Sequence, residues 1–246
     1  MSAAIWTAIS LNLFAATAAS AADCRSIEFK DAPFTVCEAD PAFEDIRLVL
    51  DDSDGAKIAT FNRLSDLLAL EGRKIAFAMN AGMYHSDRRP VGLYIESGRQ
   101  VARIVTRSGP GNFGLLPNGV LCLNDDTAFV IESREFASDP RDCRDATQSG
   151  PMLVIDGKIH PRFLPESNSR YVRNGVGVTE TGRLITAISD QPVNFHVFGR
   201  LFKDYLKTPN ALFLDGNISR LIAPDIDRYD IGFPLGPMLV VTRPAN

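Results

Sequence analysis

Most of the chain alternates between apolar and polar positions, or runs in short apolar blocks bounded by turn formers, and only two stretches change to helical spacing. Residues 27–38 and 46–50 read as strands, and Asp51-Asp52-Ser53-Asp54-Gly55 as a solvated turn between strands. Phe61, Leu64, Leu67, Leu68 and Glu71 recur at three- and four-residue steps and stop at Gly72, which predicts a helix over 61–71 that covers the sheet. Residues 74–79 are a buried strand, 91–96 and 101–106 a hairpin closed by Ser97-Gly98, and 120–123 and 128–132 continue a β-rich meander. Residues 151–155 lead to a turn at Asp156-Gly157, and 175–179 pair with 184–189. In the second helix Phe195, Phe198, Leu201, Phe202, Tyr205 and Leu206 share one face, and its aromatics read as core rather than as a binding stripe. No linker composition interrupts the series. The elements therefore predict one α+β domain, with a mostly antiparallel or mixed sheet packed with a few helices.

Three buried strands end in polar-glycine corners. The first is Asn80-Ala81-Gly82, continuing to Met83-Tyr84-His85; the second is Gln148-Ser149-Gly150; the third is Asp215-Gly216-Asn217, with Ser219 two residues on. The third follows four apolar residues, 211–214, which read as a strand buried on both faces, so its carboxylate is held at a rigid boundary between core and solvent. Asp-Gly also closes hairpins for geometric reasons alone, so this corner by itself leaves two readings, a turn and a site. A polar loop over 165–174 carries Glu166, Arg170 and Arg173 up to the next strand, and the strand 184–189 ends at Asp190. Backbone N–H groups at glycine corners together with an Arg fork make an anion cradle, and a carboxylate beside it supplies chemistry. The chain has no GxSxG nucleophile elbow, no P-loop and no HExxH zinc helix.

Composition narrows the setting. The 246 residues are 45% hydrophobic and 23% charged, enough core for one domain and no disorder signature. Residues 3–22 carry no charged side chain and end in Ala19-Ser20-Ala21-Ala22, so 1–22 reads as a secretory signal peptide and 23–246 as the mature domain, periplasmic or secreted and without a membrane span. A formal net charge of −4 with no basic run makes a poor nucleic-acid binder. Four cysteines in an exported chain imply disulfides, and among three possible connectivities the spacing favours Cys24–Cys37 and Cys122–Cys143. Zinc lacks a CxxC, and His85, His160 and His196 are scattered. A calcium loop at 51–55 would need an acidic residue where Leu50 stands. No metal and no cofactor is expected.

Five ordered segments carry a family resemblance: NAGMY at 80–84, NFGLLPNG at 112–119, ATQSGPMLV at 146–154, RNGVGV at 173–178 and NALFLDGNIS at 210–219. Together they resemble the phosphodiester glycosidase family, the domain of the mannose 6-phosphate uncovering enzyme, in its bacterial YigE-like branch. The resemblance runs over essentially the whole chain after residue 23. It implies removal of an N-acetylglucosamine-like sugar joined through its anomeric carbon to a phosphodiester, so the expected partner is a sugar-phosphate or glycan substrate. On that reaction Asp215 is expected to act as nucleophile, base or charge stabiliser, with Asp190 and Glu166 as candidates for a second carboxylate and His85 as a proton shuttle. Arg173 and the amides of Gln148, Ser149 and Gly150 would hold phosphate. Asn80 and Ser219 would orient hydroxyls, and Gly82 and Gly216 would let the ligand approach the backbone. The chain departs from the family's Asp-Gly-Gly-Gly-Ser pattern: Asn217 and Ile218 replace two glycines, and a branched Ile narrows the approach. The alternative is a non-catalytic envelope protein that binds an exopolysaccharide, or helps to assemble one, through the same corners.

Overall fold

Every strand pairing among the described residues is antiparallel, as the hairpin-punctuated sequence implies. The computed structural model describes residues 22–245, so the expected signal peptide lies outside the described residues except for Ala22. A seven-stranded sheet runs in the spatial order Asp23–Phe29, Ala32–Ala39, Leu184–Ser189, Asn174–Val178, Asn210–Asp215, Met152–Ile155 and Lys158–Ile159. A second sheet orders Arg228–Tyr229, Leu221–Ala223, Arg73–Asn80, Met238–Pro244 and Asp45–Val49; a third orders Arg99–Ala102, Tyr94–Glu96, Asp145–Ser149, Gly119–Leu123 and Ala128–Glu132. The inner faces of all three meet in one apolar core that includes Leu48, Phe77, Leu121, Met152, Val176, Leu212 and Leu239. One core makes one domain.

The helices cover the outer faces. The helix Phe61–Leu70 starts at Thr60, whose side chain accepts from Arg63 N, and buries Phe61, Leu64 and Leu68 against the second sheet. Each such burial contributes about 1.5–3 kcal/mol. The helix ends at Gly72, which takes a positive φ and donates to Ala69 O. The helix Phe195–Arg200 widens into a π-helical turn over Leu201–Tyr205, and Phe198, Leu201 and Phe202 pack under the seven-stranded sheet.

Several expectations need correction. Residues 27–38 are two strands, because Lys30 and Asp31 both take positive φ and close a tight hairpin without a glycine. The Asp51–Gly55 turn leads into a helix rather than a strand, and Asp52 accepts from Asp54 N and Ala56 N. A short helix over Ser133–Ser138, capped by the Glu132 carboxylate, is too short to leave a periodic signal. The Ser97-Gly98 hairpin has shorter arms than 91–96 and 101–106. In the second helix Tyr205 is half exposed rather than core. The disulfides Cys24–Cys37 and Cys122–Cys143 are those the spacing favours.

Candidate active site

The strand Asn210–Asp215 runs through the middle of the seven-stranded sheet, and its last residue, Asp215, is registered against Asn174 of the neighbouring strand. The apolar run before it is buried completely, so Asp215 emerges at a fixed height. Its carboxylate is itself only 9% exposed, and one oxygen accepts from Gly216 N and Asn217 N (2.8 Å). Burial raises its pKa above the ordinary carboxylate range, against the pull of backbone N–H groups from Asn217, Gly216 and Ile218. Ser219 closes the loop by donating to Asp215 O (3.0 Å) and Val172 O (3.1 Å). No cation pairs with Asp215 among the described residues.

The residue before Asn174 brings the opposite charge. Arg173 is fully buried: Nε donates to Val193 O (2.9 Å), Nη2 donates to Ser169 O (3.0 Å), and the guanidinium lies 3.6 Å from the centre of the Phe195 ring. Phe195, expected in the core, thus serves as the platform of this cation. Nη1 is buried with no acceptor, and it lies about where a side chain at residue 216 would reach: a Cβ there would come within 3.6 Å. Arg173 has no carboxylate partner among the described residues, and burial lowers its pKa to about 10 against the opposing effect of Tyr171. A buried guanidinium without a counter-ion is costly unless an anion completes it.

Two further residues, given no role from the sequence, stand close to Asp215 or to its cleft. Tyr84 lines the same cleft as Asp215, and its hydroxyl donates to Pro234 O (3.1 Å). Burial and then the Asp215 charge raise the phenol's pKa, while Arg88 and Arg220 oppose the rise, so it stays protonated at neutral pH. Arg220 is 8% exposed and has a buried Nη2 without a partner. Its one readable mark is an Arg placed directly before the buried strand Leu221–Ala223. The cleft measures about 530 Å³ and is lined by Asp215, Gly216, Asn217, Ile218, Tyr84, Tyr171, Met83, Val91, Gly111, Asn112 and Ser169.

Arg173 and Arg220 are not part of this lining, and the predicted site residues Asn80, Gly82 and Ser149 likewise stand behind the wall rather than in it. Asn80 is buried, its Oδ1 accepting from Arg220 N (3.0 Å) and its side chain bonded to Asn174, so it positions the two strands whose ends carry the charges. Gly82, at φ 143°, is buried against Thr147 and Ser149. Ser149 Oγ donates to Leu214 O (3.1 Å), which ties the second corner to the residue before Asp215.

The expected cradle at 148–150 is absent, because Gln148 N donates to Leu93 O and the strand pairs Ser149 with Gly119. The Gln148 side chain points to the opposite face from Thr147 and Ser149, accepts from Leu93 N and Val105 N, and donates to Val105 O and Ser133 Oγ. Gly150 is packed on Asn118, where a Cβ would come within 2.5 Å. Gln148→Ala is accordingly expected to cost about 3 kcal/mol or more of stability by stranding buried donors. Denaturant unfolding measures this; unchanged stability with an altered ligand affinity would contradict the internal role.

The candidate second carboxylates lie elsewhere. Asp190 accepts from Thr35 and pairs with Arg228, and Glu166 is in an exposed part of its loop. His85 is exposed in a tight turn, where Arg88 N donates to His85 O, and is not part of the cleft lining. Asp215 is the cleft's one lining carboxylate.

Three comparisons bear on this geometry. The family described as Phosphodiester glycosidase matches residues 73–241, more than half of the chain. The uncharacterized protein YigE of Escherichia coli (strain K12) is 33% identical over 215 residues, covering 87% of this chain and 83% of its own. In fold, the chain is similar to the zebrafish N-acetylglucosamine-1-phosphodiester alpha-N-acetylglucosaminidase catalytic domain auto-inhibited by its pro-peptide, with a TM-score of 0.60 at 15% identity over 89% of this chain and 81% of that one. A hypothetical protein from Synechocystis gives a TM-score of 0.61 at 12% identity, covering 90% of this chain, which spans 61% of that protein's length.

Proposed function

Because the chain belongs to the phosphodiester glycosidase family, we propose that it hydrolyses the bond between the anomeric carbon of an N-acetylglucosamine-like sugar and the phosphate of a sugar-1-phosphodiester. The observation that carries this reading is a pair of buried opposite charges, neither neutralised among the described residues: Asp215, which lines the cleft, has no cation, and Arg173, behind the lining and next to Asn174, the ladder partner of Asp215, has no carboxylate. A sugar-1-phosphodiester presents the two complementary charges in one molecule. Its phosphate is anionic, and its C1 becomes cationic as the bond to the phosphate oxygen breaks. Arg173 supports the departing phosphate and Asp215 the oxocarbenium-like carbon. Arg220, the other buried guanidinium with a free donor, adds positive potential from the Tyr84 side.

The single carboxylate is consistent with this bond. Ordinary glycosidases pair two carboxyl groups because the leaving alkoxide must be protonated. Here the leaving group is a phosphate diester's own oxygen, released as a phosphate monoester whose second pKa is about 6, so no dedicated acid is required. Water supplies the oxygen that ends on C1 and the two protons that the products share with solvent. Tyr171 and Tyr84 line the same cleft as Asp215 and offer aromatic surface to a sugar ring.

We place the reaction outside the cytoplasm. The support is the uncharged segment 3–22 and the two disulfides, which persist in oxidising compartments. Incubating the purified mature protein with a panel of sugar-1-phosphodiesters and assaying reducing sugar tests the function. Turnover supports the enzyme, whereas glycan binding without turnover supports a non-catalytic envelope protein. The pH profile adds a second test. Asp215 acts ionised and burial raises its pKa, so kcat/KM should fall on the acid side at a pH above the ordinary carboxylate range. An acid limb at or below that range would point to a different group.

A further inference from the structure

The segment from Tyr229 to Gly236 is not part of the cleft lining but packs against Tyr84, which is. The Tyr84 hydroxyl donates to Pro234 O, and Gly236 lies flat on the Tyr84 ring, where a Cβ would come within 2.5 Å. Gly232, at φ 154°, rests on the Arg220 guanidinium, with a Cβ position 3.3 Å from Cζ. The flanks are pinned as well: the Asp230 carboxylate accepts from Leu221 N (2.9 Å), and Leu235 N donates to Ala59 O (2.7 Å). Between these anchors Ile231 is 92% exposed and Phe233 77% exposed. The six residues Ile231-Gly232-Phe233-Pro234-Leu235-Gly236 carry no polar side chain.

A pinned backbone that holds two large apolar side chains in water has little ordering entropy left to lose when something covers them. Resting on the reaction proposed above, we propose that Ile231 and Phe233 are the subsite for the alcohol on the far side of the phosphate, and that this alcohol is apolar, an alkyl or prenyl-like chain rather than another sugar. The segment lies against Arg220 and against Tyr84, a wall residue of the cleft that holds Asp215. A hydroxyl-rich aglycone would meet no polar side chain from residues 231–236 and would leave hydroxyls facing them unpaired. A hydrocarbon chain would be covered, and each methylene fully withdrawn from water is worth about four-fold in affinity.

The test compares kcat/KM for three diesters of one sugar, carrying methyl, n-octyl or hexosyl alcohols, in the wild type and in Ile231→Ser and Phe233→Ser. Both positions are exposed, and thermal unfolding checks that the variants fold. The expected wild-type preference for octyl over methyl is at least ten-fold, falling to within about three-fold in the variants. An octyl-to-methyl ratio near one, a preference the variants retain, or a hexosyl diester cleaved faster than the octyl one would overturn the subsite while leaving the reaction intact. If none of the three is cleaved, calorimetry with octyl phosphate and methyl phosphate decides. Tighter octyl phosphate binding that Phe233→Ser abolishes keeps the apolar subsite and removes the reaction; equal binding removes both.

Discussion

Asp215→Asn is expected to lower kcat on a sugar-1-phosphodiester at least 10²-fold without weakening the fold. Asn keeps an oxygen that accepts from Gly216 N and Asn217 N, so the loop after the strand retains its geometry. What it loses is the negative charge opposite C1, and groups that stabilise developing charge in a water-poor site account for factors of 10²–10³. Stability should move the other way. The folded protein raises the pKa of Asp215, so at neutral pH the ionised side chain destabilises the fold relative to a neutral one. The variant should therefore match or exceed the wild type in Tm at pH 7. That advantage should shrink as pH falls through the raised folded pKa and vanish below the unfolded value near 3.9. A variant with near wild-type kcat would make Asp215 a turn residue.

Arg173→Met should lower kcat/KM about as strongly, through both KM and kcat, because the phosphate is anionic in the ground state and in the transition state. Removing a buried charge from a hydrogen-bonded pair typically costs about 2–5 kcal/mol, or roughly 30- to several-thousand-fold. Met keeps most of the volume packed on Phe195 and avoids the cavity that Ala would open. Two effects on stability oppose each other. The Ser169 carbonyl loses its guanidinium donor and Val193 O keeps only Tyr171 N, while an unpaired buried charge disappears. The net change should stay within about 2 kcal/mol. Steady-state kinetics beside denaturant unfolding separates the outcomes; a large loss of stability with unchanged KM would make Arg173 a packing residue.

The strands that carry these two charges were legible because an apolar block ending in Asp-Gly or meeting an Arg loop leaves little choice of where the polar group emerges. The cysteine pairing was legible from spacing for a similar reason, since short loops between cysteines bring their ends together. Residue direction was harder. Gln148 and Ser149 look alike in the string Thr-Gln-Ser-Gly, but strand alternation sends Gln148 to the far face, where distant Leu93 and Val105 occupy it. Tyr84 and Arg220 were missed as partners because the segment 229–236, distant from Tyr84 in sequence, sets their surroundings. Lys30 and Asp31 turn the chain without a glycine, so the Asn-Gly or Asp-Gly pair that marks a two-residue hairpin is missing. The six-residue helix after Glu132 offers less than two turns of pattern.

The central claim is that the charges at Asp215 and Arg173 break a carbon–oxygen bond rather than a phosphorus–oxygen bond. Hydrolysis in ¹⁸O-labelled water, followed by mass spectrometry of both products, tests it directly. The label is expected on the C1 hydroxyl of the released sugar, with none in the phosphate monoester. Label in the phosphate, with the sugar unlabelled, would make the protein a phosphodiesterase and contradict the roles given to both residues.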